Sequence, residues 1–274
     1  MQLIHIINAV YTKPWLILPS YHATIRQVVR NHLNGLRPSA EALGFFGEDL
    51  PDISFVDNIA VIPVKGVITK GASLMEKSCG ACSTEDIEAH IETALEANAD
   101  GIVFDIDSPG GTVTGVPELA DLISEVDDDV PTMAFTEGMM ASAAYWIGAS
   151  AGQVYASKSA DVGSIGVYVP WIDESEAFER QGVHVEVIRN EGADLKGMGF
   201  PGTSLTKEQR QALQDDVNRI ADQFHAHIME NRRVTNPTDT FRGQSFIADD
   251  AAERGLIDEV LTRKQAFKAF ISTL

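Results

Sequence analysis

Cysteine is scarce in this chain. There are two among 274 residues, Cys79 and Cys82, too few to staple a domain of this size, so a reducing compartment suits it and the core has to hold the fold. The pair reads Cys-Gly-Ala-Cys ahead of an expected helix, the layout of a thioredoxin-like redox motif. No thioredoxin-type βαβ context surrounds it, and no second pair closes a zinc site. Positive charge is also short: 21 Lys plus Arg stand against 40 Asp plus Glu, a formal net charge of −19. So acidic a surface repels phosphate backbones and argues against nucleic acid as a partner. Long apolar runs are missing too. Met1 to Leu18 is fairly apolar, but it has no basic head and Lys13-Pro14 interrupts it, so neither a signal peptide nor a membrane anchor is expected. The expectation is a soluble, cytoplasmic protein. With 44% hydrophobic and 22% charged residues it has the composition of an ordinary globular domain.

What is present is punctuated unevenly. Pro14, Pro19, Pro38 and Pro51 break the first 50 residues, where only His22 to Leu33 has helical periodicity. Residues 1–50 therefore read as an N-terminal extension, and residues 51–274 as the main domain. Beyond Pro51 the pattern becomes regular. Strands are expected at Ile59 to Val64, Gly66 to Thr69, Gly101 to Ile106, Thr132 to Thr136, Val154 to Ala156, Ile165 to Val169 and Val183 to Ile188. Helices are expected from Ser83, with Ser83 and Asp86 as a capping pair and Ile87, Ile91 and Leu95 as the buried stripe, and after Pro117. Further helices are expected over Met140 to Ala151, around Glu174 to Gln181, and from Thr206, capped with Gln209, to about Arg233. Strands alternating with crossover helices imply an α/β fold with mostly parallel pairing. The Asp127-Asp128-Asp129 run reads as a solvated turn.

Three segments at strand ends could carry chemistry: Asp107-Ser108-Pro109-Gly110-Gly111, Met140-Ala141-Ser142-Ala143-Ala144-Tyr145-Trp146, and Gly163-Ser164-Ile165-Gly166-Val167. Gly110 and Gly111 leave backbone N–H groups unobstructed, as an oxyanion hole requires. Ser142 falls at the start of an Ala-rich helix, where a serine serves either as a cap or as a nucleophile. Two pattern matches fail on context. Gly148-Ala149-Ser150-Ala151-Gly152 fits G-x-S-x-G, but it lies in the tail of a helix, not between a strand and a helix. Gly197 to Gly202 fits G-x-G-x-x-G, but no strand directly precedes it and Pro201 removes a donor. The seven histidines mark no metal or catalytic site: His225 and His227 diverge on a helix and His184 lies in an expected strand. A base for Ser142 can be a lysine. Lys158 sits among Ser157, Ser159 and Asp161, whereas Lys196 has Leu195, Met198, Phe200 and Pro201 for neighbours. Such an apolar setting favours a neutral amine, so Lys196 is preferred.

Together, in this order and spacing, the three segments resemble the signal peptide peptidase A family of serine peptidases, which includes the capsid-maturation (prohead) proteases of tailed phages. The resemblance runs from about Ile59 to Val260 and takes in the ending Phe241-Arg242-Gly243-Gln244 to Asp258. It implies a ClpP/crotonase-like spiral of β-β-α units and hydrolysis of peptide bonds by a Ser-Lys dyad. Position by position, it implies Ser142 as nucleophile, Lys196 as general base and Ser164 as the hydroxyl that holds the lysine. It also implies Gly110, Gly111 and the Ala143 N–H as the oxyanion hole. Ala143-Ala144 stands where family members commonly have Gly-Gly, which narrows the pocket beside the serine. The resemblance further implies a polypeptide substrate of the scaffold, capsid or signal-peptide kind and no cofactor. It also implies a ring-shaped homo-oligomer with Lys196 supplied by the adjacent chain, and it admits a location inside a viral prohead. Two other classes are weighed against it: a non-catalytic, capsid-associated oligomer that kept the fold, and a crotonase-like acyl-CoA enzyme, which would need neither Ser142 nor Lys196.

Overall fold

A computed structural model describes residues 10, 13–33, 52–73, 76–77 and 80–274. In chain order, strand β1 (Trp15–Ile17) and helix α1 (Pro19–Leu33) come first. Then follow β2 (Ser54–Val56), β3 (Ile59–Lys65), β4 (Val67–Thr69), β5 (Ala81–Ser83), α2 (Thr84–Glu96), β6 (Gly101–Asp107), β7 (Gly110–Thr112) and α3 (Val116–Asp127). Next are β8 (Thr132–Thr136), β9 (Met139–Ala141), α4 (Ala143–Ala149), β10 (Gln153–Ala156), β11 (Asp161–Gly163), α5 (Ser175–Arg180) and α6 (Lys207–Asn231). The chain ends with α7 (Pro237–Thr240), β12 (Ser245–Ile247), α8 (Ala248–Glu253), β13 (Glu259–Val260) and α9 (Arg263–Ile271).

A long strand, a short strand and a helix recur as β6-β7-α3 and β8-β9-α4. The long strands pair in parallel in a six-stranded sheet of order β13-β10-β8-β6-β3-β2, with β2 as an antiparallel edge. The short strands leave this layer for two smaller sheets, β1-β7-β4-β5 and β12-β11-β9. The α/β spiral of β-β-α units is therefore present.

Both faces of the large sheet are covered, which is why its strands read as continuous apolar runs. Alternate residues serve opposite faces. Ile62, Ile102, Phe104 and Ala134 join the main core with Ile87, Ile91, Leu119, Ile123 and Trp146 of the helices, whereas Ile59, Val103, Met133 and Phe135 pack on Ala266 and Phe270 of α9. In α2 the stripe is Ile87, Ile91 and Ala94, while Leu95 is 40% exposed. The turn of 3.6 residues brings position i+7 under the face and carries i+8 past it. Ser83 precedes this helix without a side-chain capping bond. Thr206 and Gln209 do form the expected capping box on α6.

Four local expectations are corrected. Met140 to Ala151 is not one helix, because Met139–Ala141 pairs in parallel with Asp161–Gly163 as β9 before α4 begins. Ile165 to Val169 contributes only an isolated bridge at Tyr168. Val183 to Ile188, and His184 with it, is not a strand, since its alternating valines meet no ladder partner. Val185 and Val187 instead lie against Gly202 and Gly197, and Ile188 is 88% exposed. Asp127 is also more than a solvated turn: its carboxylate accepts from the Thr132 N–H at 2.8 Å and from Oγ1 at 2.7 Å.

Candidate active site

Ser142 stands at the junction of β9 and α4. β9 pairs with β11, so the Ser142 N–H meets the Gly163 carbonyl at 2.7 Å, while the Ser142 carbonyl accepts from Trp146 N–H at 2.9 Å and starts the helix. A residue held by a strand on one side and a helix on the other has to turn sharply. Ser142 does so at φ 58°, ψ −117°, a region that costs a residue with a side chain about 1–3 kcal/mol and collects at functional sites. Its hydroxyl makes no capping bond, so the cap alternative for this serine is not realised. The N–H of Ala143, first in the helix, has no intrahelical acceptor by geometry.

The Gly110-Gly111 segment lies against this serine and is a strand, β7, rather than a bare turn. A Cβ on Gly110 would sit 3.0 Å from Ser142 Cβ and 2.1 Å from the Leu16 carbonyl oxygen, and φ is +98° there. On Gly111 it would fall 1.8 Å from the Ile68 carbonyl oxygen. Only glycine permits either approach. Ser108, fully buried, shapes the turn by accepting the Gly110 N–H on Oγ at 3.2 Å. Its motif was visible in the sequence, but this role was not.

Ser164 follows Gly163, the residue that binds Ser142's backbone. It too is buried, at φ +53°, with its N–H donating to the Gln244 carbonyl at 2.9 Å. The fold thus brings Ser142, Ala143, Gly110, Gly111 and Ser164 to the ends of β7, β9 and β11. Lys196 is not brought in. It is exposed in a run of turns, where its backbone carbonyl accepts from Arg189 Nε, and among the described residues no hydrogen bond joins it to Ser142 or Ser164. The apolar shelter expected for it does not form within one chain, since Leu195 and Phe200 are 47% and 54% exposed. Lys158 is exposed as well.

Tyr145 and Trp146, quoted in the motif without a role, anchor α4. Tyr145 is fully buried and its hydroxyl donates to the Leu256 carbonyl at 2.7 Å. Burial pushes this phenol well above its ordinary range. Trp146 stacks on Phe224 of α6 with ring centres 4.5 Å apart.

The other end of α4 holds a rival. Ser150 Oγ lies 2.8 Å from His227 Nε2, and His227 Nδ1 lies 3.5 Å from Asp121 Oδ1, a Ser-His-Asp order of contacts on the rejected G-x-S-x-G match. The Trp146 carbonyl, one turn back at 3.0 Å, competes with His227 for the single hydrogen of Ser150, as a helical serine bonded to its own backbone does. Ser150 also has relaxed helical angles, φ −78°, ψ −17°, and caps the carbonyl end of the helix, which repels an oxyanion. His225 points elsewhere, stacked on Phe241 at 4.6 Å. Cys79 lies outside the described residues. Burial pushes the Cys82 thiol up to about 11, away from the thiolate that redox chemistry uses.

Comparison with known proteins settles the family. The model for peptidase family S49 matches residues 124–272. The chain belongs to peptidase family S49. That for the N-terminal domain of NfeD1b matches residues 58–175. Capsid assembly protease C of Escherichia phage lambda is 28% identical over 77% of this chain and 48% of its own length. The head-tail preconnector protein of Enterobacteria phage P21 is 25% identical over all of this chain and 58% of its own. Protease 4 of Haemophilus influenzae is 24% identical over 74% of this chain and 33% of that one. The chain spans about half the length of the two phage relatives. A ClpP1 variant from Listeria monocytogenes superposes with a TM-score of 0.50 at 14% identity, covering 75% of this chain and 93% of that one. The S49 chain thus has the ClpP-like fold and is similar to phage capsid proteases and to a putative signal peptide peptidase A of Enterococcus faecium, 27% identical over 58% of this chain and 47% of that one. Among the described residues no helix is long and apolar enough to cross a membrane.

Proposed function

We propose that this S49 chain is a serine endopeptidase whose nucleophile is Ser142 and whose general base is Lys196 of a neighbouring copy. Neutral Lys196 takes the hydroxyl proton as Ser142 Oγ attacks a peptide carbonyl, with Ser164 holding the amine. The Ala143 N–H and the Gly110-Gly111 amides face the oxyanion, the Gly110 N–H being shared with Ser108 Oγ. Lys196 returns the proton to the leaving amine, the acyl-serine forms, and water then releases the acid and regenerates the serine. No cofactor enters these steps.

The observation that carries this reading is the strained Ser142, free of any capping bond and pressed against Gly110. A shared dyad is supported by the exposure of Lys196 and by the apolar surface that accompanies it, Ile188, Leu195 and Phe200. These side chains require a partner, and a homo-oligomer supplies one. One phage relative is named a capsid assembly protease and the other a head-tail preconnector protein, and on those names the proposed substrate class is a polypeptide of such an assembly, with the chain acting where it is assembled. Mixing tests the arrangement. Ser142→Ala and Lys196→Ala are each expected to be inactive on casein, and to regain activity when co-refolded together because mixed neighbours rebuild intact dyads. Activity in Lys196→Ala alone, or none in the mixture of two folded oligomeric variants, overturns the shared dyad.

A further inference from the structure

A peptide substrate has to lie extended with one carbonyl against Ser142, yet Ser142 is 1% exposed. What lies over it is the chain's own N-terminal segment. Trp15, Leu16 and Ile17 pair antiparallel with Thr112, Gly111 and Gly110. On its other edge Trp15 exchanges backbone bonds with Tyr168, N–H to carbonyl at 2.8 Å and 3.2 Å, and beyond the strand the Leu18 N–H reaches the Pro109 carbonyl at 3.0 Å. The segment is thus an inserted strand, bonded on both edges, in the way an extended peptide augments a sheet.

Its register places one peptide bond at the serine. The space that a Cβ on Gly110 would fill is bordered by both the Leu16 carbonyl oxygen and Ser142 Cβ. The Leu16 side chain is fully buried in the main core, while Trp15 and Ile17 turn to the opposite side and pack with Val29, Val67 and Tyr168. α1 fastens the strand: His22 lies 5.1 Å from the Trp15 ring and edge-on to Tyr168 at 5.8 Å.

We infer that the groove between β7 and Tyr168 is the polypeptide-binding site, and that Trp15 to Leu18 occupies it in cis as an intramolecular competitor of the substrate. The inference rests on the reading of Ser142 as nucleophile. A site filled by its own chain binds an incoming peptide in proportion to the fraction of molecules whose strand has left. No hydrogen bond joins Lys196 to Ser142 in the single chain, so among the described residues no base is seated to activate the serine against this strand.

The test compares the full wild-type chain with Trp15→Asp, which puts a charge into the apolar seat of β1. Peptide cleavage is measured by kcat/KM, and labelling of Ser142 by a fluorophosphonate is followed in parallel. The variant is expected to gain about tenfold or more in kcat/KM and to return to the wild-type value when a synthetic peptide of Lys13 to Ser20 is added. Equal kcat/KM in both proteins, with Ser142 labelled in both, overturns the occupancy and leaves the nucleophile standing. Label on Ser142 in Trp15→Asp but not in the wild-type chain supports the occupancy, whereas absence of label at Ser142 in both folded proteins overturns the nucleophile and the inference with it. Hydrogen exchange in the wild-type chain needs no folded variant. The amides of Trp15 and Leu18 lose protection when a tripeptide boronate binds Ser142, and unchanged protection with boronate bound overturns the inference.

Discussion

Ser142 and Ser150 stand at the two ends of helix α4, and each holds part of what a hydrolase nucleophile needs. Ser150 has the partners in the familiar order, with His227 at 2.8 Å and Asp121 beyond it, and it lies within a G-x-S-x-G match. Among the described residues no histidine bonds Ser142, but it has the strained strand-to-helix turn, the glycine strand pressed against it and helix N–H groups on its side. The difference teaches that backbone geometry and the charge a site offers an oxyanion separate the two serines where the identity of the neighbours does not. Ser150 offers helix-end carbonyls to a developing negative charge, and the Trp146 carbonyl competes for its hydrogen. Its histidine fastens α6 to α4.

Substitutions can break this contrast, and the largest effect is expected at Ser142 itself. Ser142→Ala should lower peptide turnover by about 10³-fold or more without lowering the melting temperature, because the side chain makes no capping bond. A variant that melts normally and still turns over would invert the assignment. Gly110→Ala comes next. Its methyl collides with the Leu16 carbonyl and Ser142 Cβ, and losing this approach should cost about 10²-fold or more in kcat, read against a binding measurement with a peptide boronate. Tyr145→Phe tests the anchor: it strips the Leu256 carbonyl of its donor and should lower stability by about 1–3 kcal/mol, while folded molecules keep their activity. At the other end Ser150→Ala should cost only about 1 kcal/mol of stability and leave kcat/KM within about twofold. A collapse of activity there would make Ser150 the nucleophile.

The smallest effect concerns pH. Burial holds the His227 imidazole below its ordinary value of 6.5, against the opposing pull of Asp121 and Glu230. Its stabilising contribution is therefore complete above that value and is lost as pH falls below it, since the unfolded chain takes up the proton first. Burial lowers His22 and His225 in the same sense. Melting temperature should decline from pH 7 to pH 5, and His227→Asn should make the decline shallower. A steeper decline in that variant would contradict the burial argument.

How much of this was legible in the sequence depended on the range of the interaction. Strand β6 and helix α6 declare themselves, because an apolar run and a capping box are local. The β9 strand was hidden, since its three residues continue into Ala-rich helix and only pairing with Asp161–Gly163 makes them a strand. Val183 to Ile188 shows the converse: its alternation is sound, but no strand edge among the described residues receives it. The three motifs single out Ser142, Gly110, Gly111 and Ser164, which the fold brings near one another, because glycine and tight turns leave a signature in sequence. The seating of β1 on β7 left none, nor did the contact of Ser150 with His227, 77 residues apart. On the proposed arrangement Lys196 meets Ser142 only across two chains, which one sequence does not display.

The contrast between the two ends of α4 is tested most directly by treating the purified oligomer with a fluorophosphonate and locating the adduct by mass spectrometry. The account predicts a single adduct on Ser142, lost in Lys196→Ala and retained in His227→Asn. An adduct on Ser150, abolished by His227→Asn, would contradict it.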